Sequence, residues 1–206
     1  MSGFLRLPVG VLLVAAAAAQ IPALRQGVSV QMPITTSAAP MPDADLPDSL
    51  IVAVTSRGDV YLEVTKLTPA QLSEKVRAAV AGHPGKRVYV KGDARVPYST
   101  VGEVLDALGT AGMNAPILLA AQHDANDTSY VPPKGLEVLL PPAPDQAQAV
   151  TLKTGQGSDA ELRKLAGAGR QVLLQVDGKT MFGEVVHAVD VCHAGGSKVI
   201  LARPEK

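Results

Sequence analysis

The fold is decided by the stretch VYVKGDARVPYSTVGEVLDALGTAG, residues 88–112. Its first residues alternate apolar and polar side chains, which predicts a strand. Pro97 excludes a helix up to that point, and Ser99 or Thr100 is expected to cap the helix that follows. The helix is predicted from an apolar stripe at positions i, i+3, i+4 and i+7, formed by Val101, Val104, Leu105 and Leu108.

The same pattern occurs again in VLLQVDGKTMFGEVVHAVDVCHAGG, residues 172–196. An offset of 84 aligns the two stretches without a gap and keeps strand, turn and helical stripe in register. The identical pairs are Val88 with Val172, Asp93 with Asp177, Val101 with Val185, Asp106 with Asp190, and Gly112 with Gly196. The turn residues that mark the repeat are Asp93, Arg95 and Tyr98 in the first copy, and Asp177, Lys179 and Phe182 in the second. Identities at matching structural positions indicate an internal repeat.

The rest of the chain supports two copies of one β/α unit. Thr68, Pro69 and Gln71 predict a helix that opens with a capping box. The predicted strands are GVSVQM at 27–32, the hairpin arms 50–54 and 60–64, and 115–121, 135–140, 149–153 and 199–202. A second capping box is expected at 158–162. The second copy lacks a clear hairpin, so it reads as a shortened duplicate.

Composition excludes several function classes. The chain has 206 residues, with 19 basic and 19 acidic side chains and no net charge, so nothing attracts it globally to nucleic acid. The single cysteine, Cys192, cannot form an internal disulfide, and its place on the helical stripe predicts a buried, unreactive thiol.

The N-terminus holds no charged residue between Arg6 and Arg25. Two interpretations compete. One is a signal peptide cleaved after the small residues 15–19. The other is an uncleaved membrane anchor of about 18 residues, near the lower limit for crossing a bilayer. In both, the rest of the chain is exported.

Catalytic and cofactor chemistry is not indicated. His187, Cys192 and His193 do not have metal-ligand spacing, and neither standard phosphate-binding glycine pattern is present. Asp93 and Asp177 follow strands and precede turns, so turn hydrogen bonds explain them better than catalysis. We therefore predict no catalytic, metal or cofactor site, and no enzyme.

The quoted turn–helix stretches, together with Pro22, the segment 26–33 and the hairpin at 58–62, resemble the periplasmic domain of the ExbD/TolR biopolymer-transport family. The resemblance covers residues 9–121 once and 135–203 again in shorter form. It implies an α+β fold of two tandem ExbD/TolR-like modules after an N-terminal hydrophobic helix, each with two helices on one face of a small mixed sheet. The segments are a transmembrane anchor or signal segment (1–25), the first module (26–121), a linker (122–134) and the second module (135–206).

The resemblance also implies a single-pass inner-membrane protein, largely periplasmic, beside an ExbB/TolQ-like polytopic partner and a TonB/TolA-like protein. Family members carry a proton on an Asp in the membrane helix. Counting back from Pro22, that Asp would fall near Pro8, yet no carboxylate precedes Asp43. Either the N-terminus is misread or the chain is a paralogue without the motor chemistry.

Two functions follow as expectations. One is an accessory subunit of a proton-motive-force-coupled complex, and the alternative is a signal-peptide-processed periplasmic interaction module. In both, exposed strand edges would bind a partner by strand addition. The candidate edge residues are Val28, Val30 and Met32 in the first module, and Leu136, Val138 and Leu140 in the second. We expect a homodimer or an intramolecular pseudo-dimer, because each copy alone is small.

Overall fold

The computed structural model describes residues 28–83, 85–121, 132–141, 148–152 and 159–204. In this part of the chain, four α-helices lie against one mixed β-sheet of ten strands, which confirms the predicted α+β class. The predicted N-terminal hydrophobic helix and most of the predicted linker lie outside the described residues. No helix within them is long and apolar enough to cross a bilayer.

The structure has helices and strands in both halves of the chain. The first half contains β1 (Ala39–Pro40), a 3-10 helix (Pro42–Asp45), β2 (Leu50–Val54), β3 (Val60–Leu62), β4 (Thr65–Leu67), α1 (Pro69–Val80), β5 (Val88–Gly92), α2 (Tyr98–Thr110) and β6 (Ile117–Ala120). The second half contains β7 (Lys134–Leu139), β8 (Gln148–Leu152), α3 (Asp159–Leu165), β9 (Gln171–Val176), α4 (Phe182–Ala194) and β10 (Lys198–Leu201).

Helix α1 begins as its sequence predicts. The Gln71 N–H donates to Thr68 Oγ1 at 3.3 Å, and the Thr68 N–H donates to Gln71 Oε1 at 2.9 Å. This reciprocal pair satisfies main-chain donors that a helix start leaves free. Leu72 and Val76 are buried on the helix's inner face.

The predicted hairpin is also confirmed. Strands β2 and β3 pair antiparallel, with Val54 opposite Val60 and Val52 opposite Leu62. The chain then turns at Glu63, whose φ is 58°, and adds β4 as a third antiparallel strand. The sequence did not indicate this third strand.

The sheet runs in the order β4-β3-β2-β5-β6-β7-β10-β9-β8, with β1 beside β7. Strands β2, β5 and β6 are parallel to one another, and so are β8, β9 and β10. Strand β7 lies between the two groups, antiparallel to β6 and parallel to β10. The prediction of a separate small sheet in each module is therefore wrong, because β7 joins both groups into one sheet.

One hydrophobic core serves both halves. It includes Leu72 of α1, Leu108 of α2, Leu162 of α3 and Val189 of α4, all of them buried. A smaller cluster on the other side of the sheet packs Tyr89 against Ala44 of the 3-10 helix, along with Ile117 and Leu119. Because burial of apolar surface is shared across the halves, we expect them to unfold together.

Candidate functional site

The turn after β5 is built around the buried carboxylate of Asp93. Arg95 donates to it from Nε and from Nη2, each at 2.8 Å, and from its main-chain N–H at 3.1 Å. The Gln31 N–H donates to Oδ2 at 3.0 Å. The bonds from the Arg95 side chain hold the pKa of Asp93 well below its usual range, although burial opposes this. The carboxylate therefore stays ionised, and its hydrogen bonds stabilise the turn.

The turn after β9 repeats this backbone arrangement. The Lys179 N–H donates to Asp177 Oδ1 at 2.8 Å, and the Thr180 N–H donates to the Asp177 carbonyl at 3.0 Å. In the first turn, Val96 likewise donates to the Asp93 carbonyl, at 3.1 Å. Both aspartates thus make the turn hydrogen bonds that their sequence positions predict.

Each turn also caps the helix of the other half. Four main-chain hydrogen bonds join the two turns. The N–H groups of Tyr98 and Ser99 donate to the carbonyls of Thr180 (2.8 Å) and Gly178 (2.9 Å). The N–H groups of Phe182 and Gly183 donate to the carbonyls of Val96 (2.8 Å) and Ala94 (2.9 Å). An isolated bridge pairs Pro97 with Met181 at the centre of this arrangement. At the offset of 84, the donor Tyr98 corresponds to the donor Phe182, and the acceptor Val96 corresponds to the acceptor Thr180.

The prediction that Ser99 or Thr100 caps α2 is wrong. Helix α2 begins at Tyr98, and its N-cap is Pro97, which makes no side-chain capping bond. The free N–H groups at the helix start are satisfied by the carbonyls of the second turn instead. A cap supplied from a distant part of the chain leaves no local sequence signal.

The two repeat aromatics are fully buried beside these crossing bonds. The Phe182 ring lies over Gly92, where an added Cβ would come within 2.4 Å of the ring Cε1. Only glycine allows the ring to approach the strand so closely. The Tyr98 hydroxyl donates to the Ala202 carbonyl at 2.8 Å, and burial raises the pKa of Tyr98.

Residues 28–38, which we call the strap, lead into the sheet. Val28, Val30 and Met32 are half-buried there and belong to no strand, so the predicted strand over GVSVQM is wrong for the described residues 28–32. The Gln31 carbonyl accepts from the Ala94 N–H at 2.8 Å, and Pro33 accepts from the Ala121 N–H at 2.9 Å. Partner binding along residues 28–32 stays a prediction.

The strap is fastened to α4 by Asp190, whose role the sequence analysis missed. Asp190 is 3% exposed. Its carboxylate accepts from the Thr36 N–H at 2.8 Å, the Thr36 hydroxyl at 2.9 Å and the Ser37 N–H at 2.8 Å, and the Ser37 hydroxyl also contacts it. Burial would raise the pKa of Asp190, but these hydrogen bonds outweigh burial and lower it.

Strand β7 does not have the free edge that was predicted for it. Its residues from Lys134 to Glu137 pair with β6 on one side. On the other side, Lys134 and Gly135 pair with β1, and Val138 and Leu139 pair with β10. The predicted edge residues Leu136, Val138 and Leu140 are buried inside the protein. The prediction of an open edge here is wrong because this strand joins the two halves.

Two histidines of the second half have structural partners. His187 lies 3.0 Å from an Asp159 carboxylate oxygen, and His193 lies 2.8 Å from the Glu137 carbonyl. Within the described ranges, no cluster of three or more histidine, cysteine or carboxylate side chains could hold a metal ion. The site is therefore an arrangement of main-chain bonds and buried carboxylates that joins segments of the chain.

Cys192 is expected not to react with Ellman's reagent in the native protein. Its thiol is buried, and burial raises its pKa to about 11, which lowers the thiolate fraction about 100-fold relative to an ordinary cysteine. Titration should detect one thiol only after denaturation. Rapid reaction of the folded protein would contradict this placement of Cys192 in the core.

One comparison with known protein families gives a match. The family model described as "Biopolymer transport protein ExbD/TolR" matches residues 9–122, more than half of the chain. A comparison with curated proteins finds no match. The matched residues include the strap, strand β5 with the Asp93 turn that follows it, and helices α1 and α2. The chain belongs to the ExbD/TolR family of biopolymer transport proteins.

Proposed function

We propose that this chain is an ExbD/TolR-like accessory subunit of a proton-motive-force-coupled inner-membrane complex for biopolymer transport or envelope energy transduction. The family match over residues 9–122 carries the proposal, because it runs from the apolar N-terminal segment through β6. On this proposal the chain is a single-pass membrane protein with its bulk in the periplasm. Its partners are an ExbB/TolQ-like polytopic protein and a TonB/TolA-like protein.

We further propose that residues 135–206 are a second, shortened ExbD/TolR-like module, and that the two modules form an intramolecular pseudo-dimer. The order strand, turn, helix, strand is the same in β5–α2–β6 and β9–α4–β10. The reciprocal capping bonds of Tyr98 and Phe182 relate the two turns to each other symmetrically. Both observations support a duplication. Two modules joined in one chain are always present in equal number and close together, whereas modules on separate chains must associate.

In the proposed subunit, the apolar segment before Pro22 supplies no proton-carrying carboxylate. The first acidic residue of the sequence is Asp43, and it lies in the 3-10 helix that covers the sheet. A group placed there cannot sit in a membrane helix. The chain would therefore respond to proton movement through its polytopic partner. Its own role would be to transmit force and to bind partners.

Strand β8 offers an edge for partner binding by strand addition in the second half. It pairs with β9 on one side, and no described strand pairs with its other side. In the first half, the corresponding strand β2 is covered by β3 and β4. An uncovered edge presents main-chain N–H and C=O groups to which an extended segment can pair. This edge replaces β7 as the candidate in the second half, and residues 28–32 remain the candidate in the first.

The alternative function is a periplasmic interaction module released by signal peptidase. The small residues of 15–19, AAAAA, favour this alternative because signal peptides end in small side chains. The module would keep the folded part of the chain and its open edge at β8, and would have no motor role.

One experiment separates these functions. The full chain with a C-terminal tag would be expressed in a host that carries the ExbB/TolQ-like partner, and its N-terminal sequence and membrane partition would be determined. We expect an intact N-terminus in the membrane fraction and co-purification with the polytopic partner. Processing near Ala19–Gln20 with release into the periplasm would contradict the anchored subunit and support the alternative.

A further inference from the structure

Strand β8 has the same place in the second half of the sheet as β2 has in the first. Strand β2 is parallel to β5, with Leu50 opposite Val88. At the offset of 84, Val88 corresponds to Val172, and Val172 lies opposite Gln148 of β8. The remaining pairs of the two ladders continue in the same register. Strand β8 is therefore the repeat equivalent of β2, residue for residue.

In the first half, β3 covers the outer side of β2 as an antiparallel strand. The Thr55 N–H donates to the Asp59 carbonyl at 3.0 Å, and the Glu63 N–H donates to the Ile51 carbonyl at 2.9 Å. Because hydrogen-bonded pairs alternate along an antiparallel ladder, the main-chain groups of Ala53 also face β3. The odd-numbered residues of β2 thus direct their N–H and C=O groups to the outer side.

The main-chain groups of β8 are oriented in the same way. The Leu174 carbonyl of β9 accepts from the Ala202 N–H at 2.9 Å, so even-numbered residues of β9 face β10 and odd-numbered ones face β8. The first half agrees, because the Asp93 N–H, just after β5, donates to the Val54 carbonyl of β2 at 2.9 Å. Strand β8 therefore directs the main-chain groups of Thr151 to its outer side, where no described strand pairs with it.

The two ends of the described sheet differ in how far they are protected against pairing. At one end, β4 has only three residues, and its Lys66 ammonium lies 2.7 Å from an Asp59 carboxylate oxygen. Short length and a lysine are common means of keeping an edge strand from pairing with another chain. At the other end, β8 has five residues, QAVTL, without a charge or a proline. An extended segment can pair there without burying a charge of β8.

We propose that the outer side of β8 binds an extended segment of a partner protein, antiparallel to β8, in the position that β3 has on β2. Thr151 is the equivalent of Ala53, so the partner residue opposite it takes the place of Tyr61. The partner residues before and after that position are apolar, because Val60 is buried and Leu62 packs against the core. The partner thus supplies the strand that the shortened second module lacks. The inference rests on the proposed partner-binding function and names the direction, register and chemistry of the partner segment.

A peptide-binding assay on the purified full chain tests the proposal. The probe is a fluorescein-labelled peptide with the sequence of residues 58–64, GDVYLEV, and binding is followed by fluorescence anisotropy. We expect saturable binding. Thr151→Pro removes the outward N–H and leaves the bonds to β9 in place, so it should weaken binding about 10-fold or more. Thr151→Val keeps both the N–H and a β-branched side chain and should leave binding unchanged.

Two modified probes test the register without altering the protein. N-methylation of the residue equivalent to Tyr61 blocks the N–H that faces Thr151 and should weaken binding about 10-fold or more. N-methylation of the residue equivalent to Leu62 alters an N–H that faces away from β8, and should leave binding unchanged. This pair of probes decides the outcome if the Thr151→Pro chain is poorly folded.

Absence of saturable probe binding, or equal affinity for the two methylated probes, would overturn the proposal. So would a dimer of the chain that Thr151→Pro dissociates while the probe does not bind, because a second copy would then occupy the edge. The assay contains no membrane partner, so its outcome is independent of the accessory-subunit role. Probe binding without co-purification of the polytopic protein would reject that role and keep the β8 site. Co-purification without probe binding would reject the β8 site alone.

Discussion

Replacing Phe182 by alanine is expected to lower the free energy of unfolding by about 3–5 kcal/mol, the range for removing a fully buried aromatic ring. The ring is inaccessible to solvent and packs against Gly92 of the first half, so its loss leaves a cavity between the halves. Urea unfolding at constant m-value measures the loss. Met181→Ala is the control, since that adjacent side chain is 43% exposed and should cost less than about 0.5 kcal/mol.

A double-mutant cycle between residues 92 and 182 sharpens this test. Gly92→Ala alone should be destabilising because its Cβ would come within 2.4 Å of the Phe182 ring. In the Phe182→Ala background the same change should cost much less, which gives a coupling energy of about 1–3 kcal/mol. Additive effects of the two changes would contradict the contact between the halves.

Asp190→Ala is expected to cost about 2–4 kcal/mol, because it removes the buried carboxylate that accepts from the N–H groups of Thr36 and Ser37. The control is Asp106→Ala, at the matching position of α2. That carboxylate is half-exposed and pairs with exposed Arg203, so its removal should cost less than about 1 kcal/mol. Similar losses of unfolding free energy in both variants would contradict a buried Asp190 that holds the strap on α4.

The effect of Asp190 depends on pH in a defined direction. Hydrogen bonding lowers the pKa of Asp190 in the folded protein. Its stabilising contribution is therefore complete above about pH 4, the ordinary aspartate pKa, and is lost as the pH falls through the lowered folded value. The stability difference between the unaltered chain and Asp190→Asn should be larger at pH 7 than at pH 3. A difference that grows in acid would contradict this account.

The local elements of this fold are readable from sequence because their causes are local. The capping box of Thr68 and Gln71 starts α1 where predicted, and the apolar stripes of α2 and α4 are their buried faces. The turns at Asp93 and Asp177 also form as their residues suggest. In the caps and turns the interacting groups are at most four residues apart in the chain, and the stripes follow from the helical period.

The features that join the halves were not predicted because their partners are far apart. Thr36 and Asp190 are separated by 154 positions, and the caps of α2 and α4 come from turns about 80 positions away. One signal was available: Asp190 lies between the apolar residues Val189 and Val191 of α4, and a buried carboxylate requires hydrogen-bond donors. For β7, no local pattern distinguishes an edge strand from one that joins two sheets.

The central claim is that the two halves are one cooperative unit held by reciprocal capping of their helices. Native-state amide hydrogen exchange at Tyr98, Ser99, Phe182 and Gly183 tests it most directly. We expect these four amides to exchange only with global unfolding, with the same opening free energy as Val90 of β5 and Val199 of β10. Fast exchange of the four amides, or two distinct opening free energies for the two halves, would contradict the claim.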